Sequence, residues 1–271
     1  MSSIAAIGNL ALDRVSGGPL RPGGAVFYSA RTLARIVADA HVAASCAVVH
    51  RTQLVVPLEQ FGVPSTWYPS ETTAAYTFRY EGDRRIMHQN SVGESWSSER
   101  ALEGAADATW IHVGALVRTD FPQKTLAALA ADGRRLLVDA QGLVRTASLG
   151  PLRADGDIGD VLRYVEILKL NEEEAQTLVG VASPDRLRAL GVPEIVLTLG
   201  SEGSIVITSH GSEAVAPVEI NGAVDPTGAG DTYSAAYLTA RSDGAEPLEA
   251  ARKATETAAM VVFLDGRSPQ V

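Results

Sequence analysis

The chain has 271 residues, 46% of them apolar, and a net charge of −9 at pH 7. That length suits one large α/β domain over residues 1–271. The acidic balance excludes nucleic acid as the main partner but still allows an anionic ligand in a local pocket. No apolar run reaches the roughly 18 residues of a membrane span. The lone Cys46 excludes an internal disulfide and suits a reducing cytoplasm. The histidines at 41, 50, 88, 112 and 210 show no metal-ligand spacing and read as structural or surface residues.

In chain order, MSSIAAIGNLALD lacks the basic flank of a signal peptide, and residues 4–8 read as a first strand. AVFYSARTLARIVADA (25–40) reads as a helix, and AASCAVV (43–49) as a buried strand. TTAAYTFRYEGDRRIMHQN (72–90) breaks this rhythm, because Tyr76, Phe78 and Tyr80 alternate with Thr77 and Arg79 around the turn signal Glu81-Gly82-Asp83. It predicts an antiparallel hairpin whose aromatic face covers something. Arg84 and Arg85 sit beside its turn. Strands follow at 109–116, 135–140, 165–170 and 194–200, with a helix at 123–133. The alternation implies βαβ units, a mostly parallel sheet and helices on both faces. Nearly continuous apolar strands agree, since parallel strands are buried on both sides. The hairpin then reads as a flap on this body.

The chemistry concentrates in AVDPTGAGDTYSAAY (223–237). Gly222 and Gly228 bracket a turn, and a helix follows from about Asp231 to Arg241. Free amides at a helix start favour an anion, and Gly228, Ala229 and Gly230 leave it room. Asp231 beside such a hole could take a proton from an attacking hydroxyl. It could equally be a plain N-cap. No Walker A motif is present, since none of the lysines at 124, 169 and 253 follows a glycine, and GxGxxG is missing after the first strand. Asn171 with Glu172, Glu173 and Glu174 opens a helix, where acids compensate the dipole or where Asn171 and Glu174 hold hydrated magnesium near phosphates. VLTLGSEGSIVI (196–207) reads as strand, glycine turn and strand.

In that order, Asn-x-x-Glu, Thr-Leu-Gly-x-x-Gly and Asp-x-Thr-Gly-Ala-Gly-Asp closely resemble the ribokinase-like, or PfkB, sugar kinases over nearly the whole chain. GNLALD (8–13), Gly23-Gly24 with Ala30, and DAQGLVR (139–145) are similar to further family motifs. The resemblance implies a three-layer α/β/α sandwich with a small β-sheet lid, here about 9–20 and 67–95. It also implies a cytoplasmic kinase that uses ATP and Mg2+ on a small polyol and pairs as a homodimer through the lid. Asp231 is then the base, and the amides of Gly228, Ala229 and Gly230 form the anion hole. Asp13, Gly23, Gly24, Tyr28, Gln141 and Arg145 face the acceptor. Asn171, Thr198, Gly200 and Gly203 face the nucleotide, and Glu174 reaches magnesium through water. Relatives bind a monovalent cation, K+, beside the hole; here Asp225, Thr227, Gly266 and Ser268 are its candidates. For Arg145 a surface salt bridge is the competing reading.

Two residues depart from the family pattern. Pro226 stands where threonine is common and removes one N–H. Tyr28 stands where ribokinases carry a sugar-binding asparagine, which speaks against ribose. The chain is also short for the family, which predicts a reduced cation loop. Gln141-Gly142 with Arg145, and the Thr72-Thr73…Phe78…Arg84 pattern, resemble inositol-kinase members. A nucleoside kinase, a silent ligand-binding relative and a dinucleotide oxidoreductase are the alternatives.

Overall fold

The computed structural model describes residues 4–36, 39–81, 84–219 and 227–267. Its strands are β1 (Ile4–Asn9), β2 (Ala11–Val15), β3 (Leu20–Gly23), β4 (Ala40–Ala47), β5 (Ser65–Ser70), β6 (Ala74–Glu81) and β7 (Arg84–Ser91). They continue with β8 (Trp110–Gly114), β9 (Arg135–Asp139), β10 (Gly150–Pro151), β11 (Ile167–Asn171), β12 (Glu194–Thr198), β13 (Ser204–Thr208) and β14 (Gly211–Val215). The helices are α1 (Ala25–Ile36), α2 (Arg51–Glu59), α3 (Ser98–Ala105), α4 (Gln123–Leu129), α5 (Gln141–Val144), α6 (Glu172–Val179), α7 (Pro184–Arg188), α8 (Ala229–Ser242) and α9 (Pro247–Arg267).

Nine strands form one sheet in the order β14-β13-β12-β11-β9-β8-β1-β4-β5. It is parallel from β5 through β12 and ends in the antiparallel pairs β12–β13 and β13–β14. β1 shows why the strands read as unbroken apolar runs. Ile4 and Ala6 pack with α1, α2, α8 and α9, while Ala5 and Ile7 pack with α3, α4, α6 and α7. Both faces are therefore covered, and the result is the predicted three-layer sandwich.

The small sheet runs β10-β7-β6-β2-β3. Its β6–β7 hairpin is the one predicted, and Tyr76 and Phe78 stack on its inner side, each 4% exposed. The side chains of Tyr80, Arg84 and Arg85 lie outside the described ones. The flap residues begin later than the sequence suggests. Residues 67–70 belong to β5 and pair with β4, and the small sheet starts at Ala11 and Ala74 and gains Gly150–Pro151. A hairpin can be read from alternation, but the partner of a neighbouring strand cannot.

α8 lies between α1 and α9, and its small residues allow close approach; the hydroxyls of Thr32 and Thr232 are 3.2 Å apart. Its far end is tied to β12. Glu194 accepts from the Tyr237 hydroxyl at 2.6 Å and from Arg241 Nε at 3.1 Å to each oxygen. Removing one partner strands a buried charge. Arg241→Met is expected to lower stability by about 3 kcal/mol in urea unfolding at neutral pH. Burial already holds the Glu194 carboxyl above its ordinary range. The penalty should therefore shrink in acid, where Glu194 takes a proton.

Candidate active site

The chain order reverses about β1, whose neighbours are β8 and β4. The carboxyl ends of strands beside such a reversal leave a crevice. A cavity of about 260 Å³ lies there, between the small sheet and the start of α8.

Part of its wall is built by the small sheet, α1 and α5. Asp13 on β2 lines it, and Gly23 on the paired strand makes room, because a Cβ there would lie 2.0 Å from Asp13 Oδ2. Gly24 adopts φ +98°, and a Cβ on it would meet the Asn9 carbonyl at 2.6 Å. Tyr28, Gln141 and Arg145 also line the cavity. The sequence reading did not single out Tyr76 as a site residue. Its hydroxyl is buried on the cavity wall with no hydrogen-bond partner among the described residues.

The N-terminus of α8 forms another part of the wall. Gly228 is the N-cap residue, in the left-handed region at φ +76°, with no side-chain cap. Its carbonyl accepts the first helical bond, from the Thr232 amide at 2.9 Å. The amides of Ala229, Gly230 and Asp231 precede that bond, and helix geometry gives them no partner within the helix. Asp231 therefore sits at the third helical position and is not the N-cap. Its carboxylate lines the cavity beside Gly228, Gly230 and Thr227. Burial pushes its pKa up to about 6, and Asp139 adds to this; Lys169, His112 and Arg145 oppose the rise.

Asn171 and Glu174 form a capping box at α6. Asn171 Oδ1 accepts from the Glu174 amide at 2.9 Å, and Glu174 Oε2 accepts from the Asn171 amide at 3.0 Å. Asn171 and Glu174 thus do cap a helix, as their simplest reading holds, and both residues also line the cavity. Among the described residues no three metal-ligating side chains cluster. One buried carboxylate beside an amide fits Mg2+, which keeps several waters and takes phosphate oxygens as ligands.

Other expected residues stand back from the cavity wall. Thr198 pairs with Asn171 across β11 and β12, and its hydroxyl donates to the Leu170 carbonyl at 3.2 Å. Gly200 and Gly203 form the turn into β13; a Cβ on Gly203 would meet the Val215 carbonyl at 2.1 Å. Gly266 falls in the last turn of α9. Asp225, Pro226 and Ser268 lie outside the described residues, as does the K+ loop they would form.

Sequence reasoning also missed Lys169. It lines the cavity, and its Nζ lies 3.0 Å from Asp139 Oδ1. The usable signal was a lysine and an aspartate inside apolar strands, Lys169 and Asp139, which the β9–β11 register pairs.

A family model, pfkB family carbohydrate kinase, matches residues 8–269. Among curated proteins the chain is 34% identical over 112 residues to a 2-dehydro-3-deoxygluconokinase of Thermoproteus tenax, covering 40% of this chain and 34% of that one. It is 31% identical over 123 residues to a ribokinase of Arabidopsis thaliana, covering 41% and 32%. These alignments span about a third of the relatives' length. A pyrophosphate-dependent kinase in the ribokinase family, complexed with a pyrophosphate analog and myo-inositol, superposes with a TM-score of 0.81 at 23% identity, covering 98% and 96% of the two chains. The Arabidopsis thaliana ribokinase complexed with ribose and ATP gives 0.74 at 19%, covering 96% and 92%. The chain belongs to the pfkB family of carbohydrate kinases.

Proposed function

We propose that the protein transfers a terminal phosphoryl group from ATP to a hydroxyl of a small polyol, a sugar or an inositol. The observation that carries this is Asp231, which faces the cavity from the first turn of α8 immediately after the glycine-lined amides. A carboxylate there can take the acceptor's proton as the hydroxyl oxygen bonds to phosphorus. The bridging P–O bond of the donor breaks, and the leaving phosphate keeps the electron pair. The amides of residues 228–230 offset charge on the transferred group. Magnesium, when held through Glu174 and Asn171, would neutralise charge on the donor phosphates.

Asp13, Gln141, Arg145 and the Tyr76 hydroxyl surround the acceptor end with polar groups, against the apolar walls of Phe78, Met87 and Leu116. That mixture suits a compact ring with several hydroxyls. It fits inositol, which the pyrophosphate-dependent neighbour binds, better than an extended nucleoside. The pyrophosphate-dependent neighbour suggests a second reading of the donor, as inorganic pyrophosphate. A matrix of polyols and nucleosides against ATP and pyrophosphate, with magnesium, tests both. Expected is one polyol gaining one phosphoryl group. Binding of a polyol without turnover across the whole matrix would instead mark a silent ligand-binding relative.

The pH profile gives a further check. Only ionised Asp231 can accept a proton, so kcat/KM for the acceptor should rise with pH through about 6 and level off above it. Lys169 holds that value down. In Lys169→Met the rising limb should move to higher pH.

A further inference from the structure

A charged cluster threads the interior of the sheet behind Asp231. Asp139 ends β9 and is 1% exposed. Its Oδ1 accepts from Ser234 Oγ at 2.8 Å and from Lys169 Nζ at 3.0 Å, and its Oδ2 lies 2.5 Å from His112 Nε2. The other ring nitrogen of His112 lies 2.9 Å from Ser29 Oγ on α1. Facing a carboxylate oxygen, Nε2 of His112 carries a proton and donates to Asp139, while Nδ1 bonds the Ser29 hydroxyl. Both oxygens of Asp139 are engaged, so the carboxylate cannot rotate.

Such a cluster is a poor device for stability. Desolvating a carboxylate and an ammonium costs about what their attraction returns. What it supplies is position. A lysine stem has four rotatable bonds, and a free ammonium would wander. Here Nζ is held against the first turn of α8, where a Cβ on Gly230 would lie 2.7 Å from it. Gly230 therefore leaves room for the ammonium as much as for a phosphate. Asp139 pairs with Lys169 directly, and Glu174 and Asp231 line the cavity beside it. Without it, the donor end would confront a polyanion with carboxylates.

We propose that Lys169 is a ligand of the donor's phosphates, and that His112, acting through Asp139, is the positioning residue that holds it there. This rests on the kinase reading above, but it can be measured without turnover. Inorganic pyrophosphate and magnesium-ATP are titrated calorimetrically into wild type, Lys169→Met, His112→Leu, His112→Gln and the Lys169→Met/His112→Leu double variant. An acceptor polyol is titrated in parallel. Lys169→Met should weaken donor binding about tenfold to a hundredfold and leave polyol binding within about twofold. His112→Leu should weaken donor binding in the same direction but less. His112→Gln, which can still donate to Asp139, should restore most of it. In the Lys169→Met background, His112→Leu should add nothing, because the group it positions is gone.

Unchanged donor affinity in Lys169→Met overturns the ligand assignment, as does a wild type that binds neither donor. Equal losses from His112→Leu in both backgrounds reduce His112 to a structural role. Should His112→Leu fail to fold, His112→Asn, whose amide falls short of Asp139, enters the same cycle and is judged the same way. A wild type that binds pyrophosphate through Lys169 yet phosphorylates no polyol would refute the kinase reading and leave this one standing. A wild type that turns over normally, with a donor KM unmoved in Lys169→Met, would do the reverse.

Discussion

Replacing Asp231 with asparagine is expected to lower kcat by about a thousandfold while leaving donor and acceptor binding nearly intact, because loss of a general base acts on the transition state. Asparagine keeps the shape but cannot accept a proton. Stability should move the other way. The folded-state pKa of Asp231 is about 6, above its ordinary 3.8. Folding therefore binds this proton, and stability falls as pH rises from about 4 through 6 and stays lower above it. At neutral pH the ionised group is a cost, paid against burial and Asp139, and Asp231→Asn should relieve part of it. A helix-capping aspartate predicts the opposite pair of results: about 1 kcal/mol of lost stability and little lost activity. Position already argues against capping, since Gly228 is the N-cap residue and Asp231 lies three residues further on. Rapid-mix kinetics and thermal melts on one preparation read both signs.

Much of this arrangement could be read from residue order. The alternation of apolar runs predicted the sheet. Tyr76 and Phe78, two apart, predicted a one-sided hairpin, because a strand turns its side chains every second residue. Asp231 was conspicuous because small residues precede it directly. Proximity in space was harder. His112, Asp139 and Lys169 are 27 and 30 residues apart and sit singly in otherwise apolar strands. Only strand register joins them: Lys169 pairs with Asp139, and His112 with Leu137 two residues earlier. Register in a parallel sheet depends on crossover helices, which no local pattern reports. The histidine therefore read as structural or surface, and its burial beside a carboxylate emerged only in three dimensions. Residue 67 was misgrouped for the same reason, because β5 pairs with β4 and not with the hairpin.

Gly228→Ala is the substitution expected to damage stability and activity together. Gly228 adopts φ +76°, a conformation that costs a side-chain-bearing residue about 1–2 kcal/mol. A Cβ there would also lie 2.3 Å from Tyr28 Cδ1 and 2.4 Å from Cγ, so the ring must move. Tyr28 is held edge-on by Phe27 at 5.7 Å and lies under the Arg31 guanidinium at 5.3 Å, so displacement disturbs α1 as well. Together the two costs come to about 3 kcal/mol. The donor amides begin at this residue, and misplacing one such donor lowers kcat about a hundredfold to a thousandfold. The two causes separate in the Gly228→Ala/Tyr28→Ala double variant. Removing the ring abolishes the clash but not the backbone strain, so stability should recover in part, relative to Tyr28→Ala alone. If activity returns in step with stability, Tyr28 was displacing the loop. If it stays low relative to Tyr28→Ala alone, the backbone conformation of Gly228 itself sets the amides. The second outcome is expected, because the left-handed turn at Gly228 sets the direction of the unpaired amides that open α8.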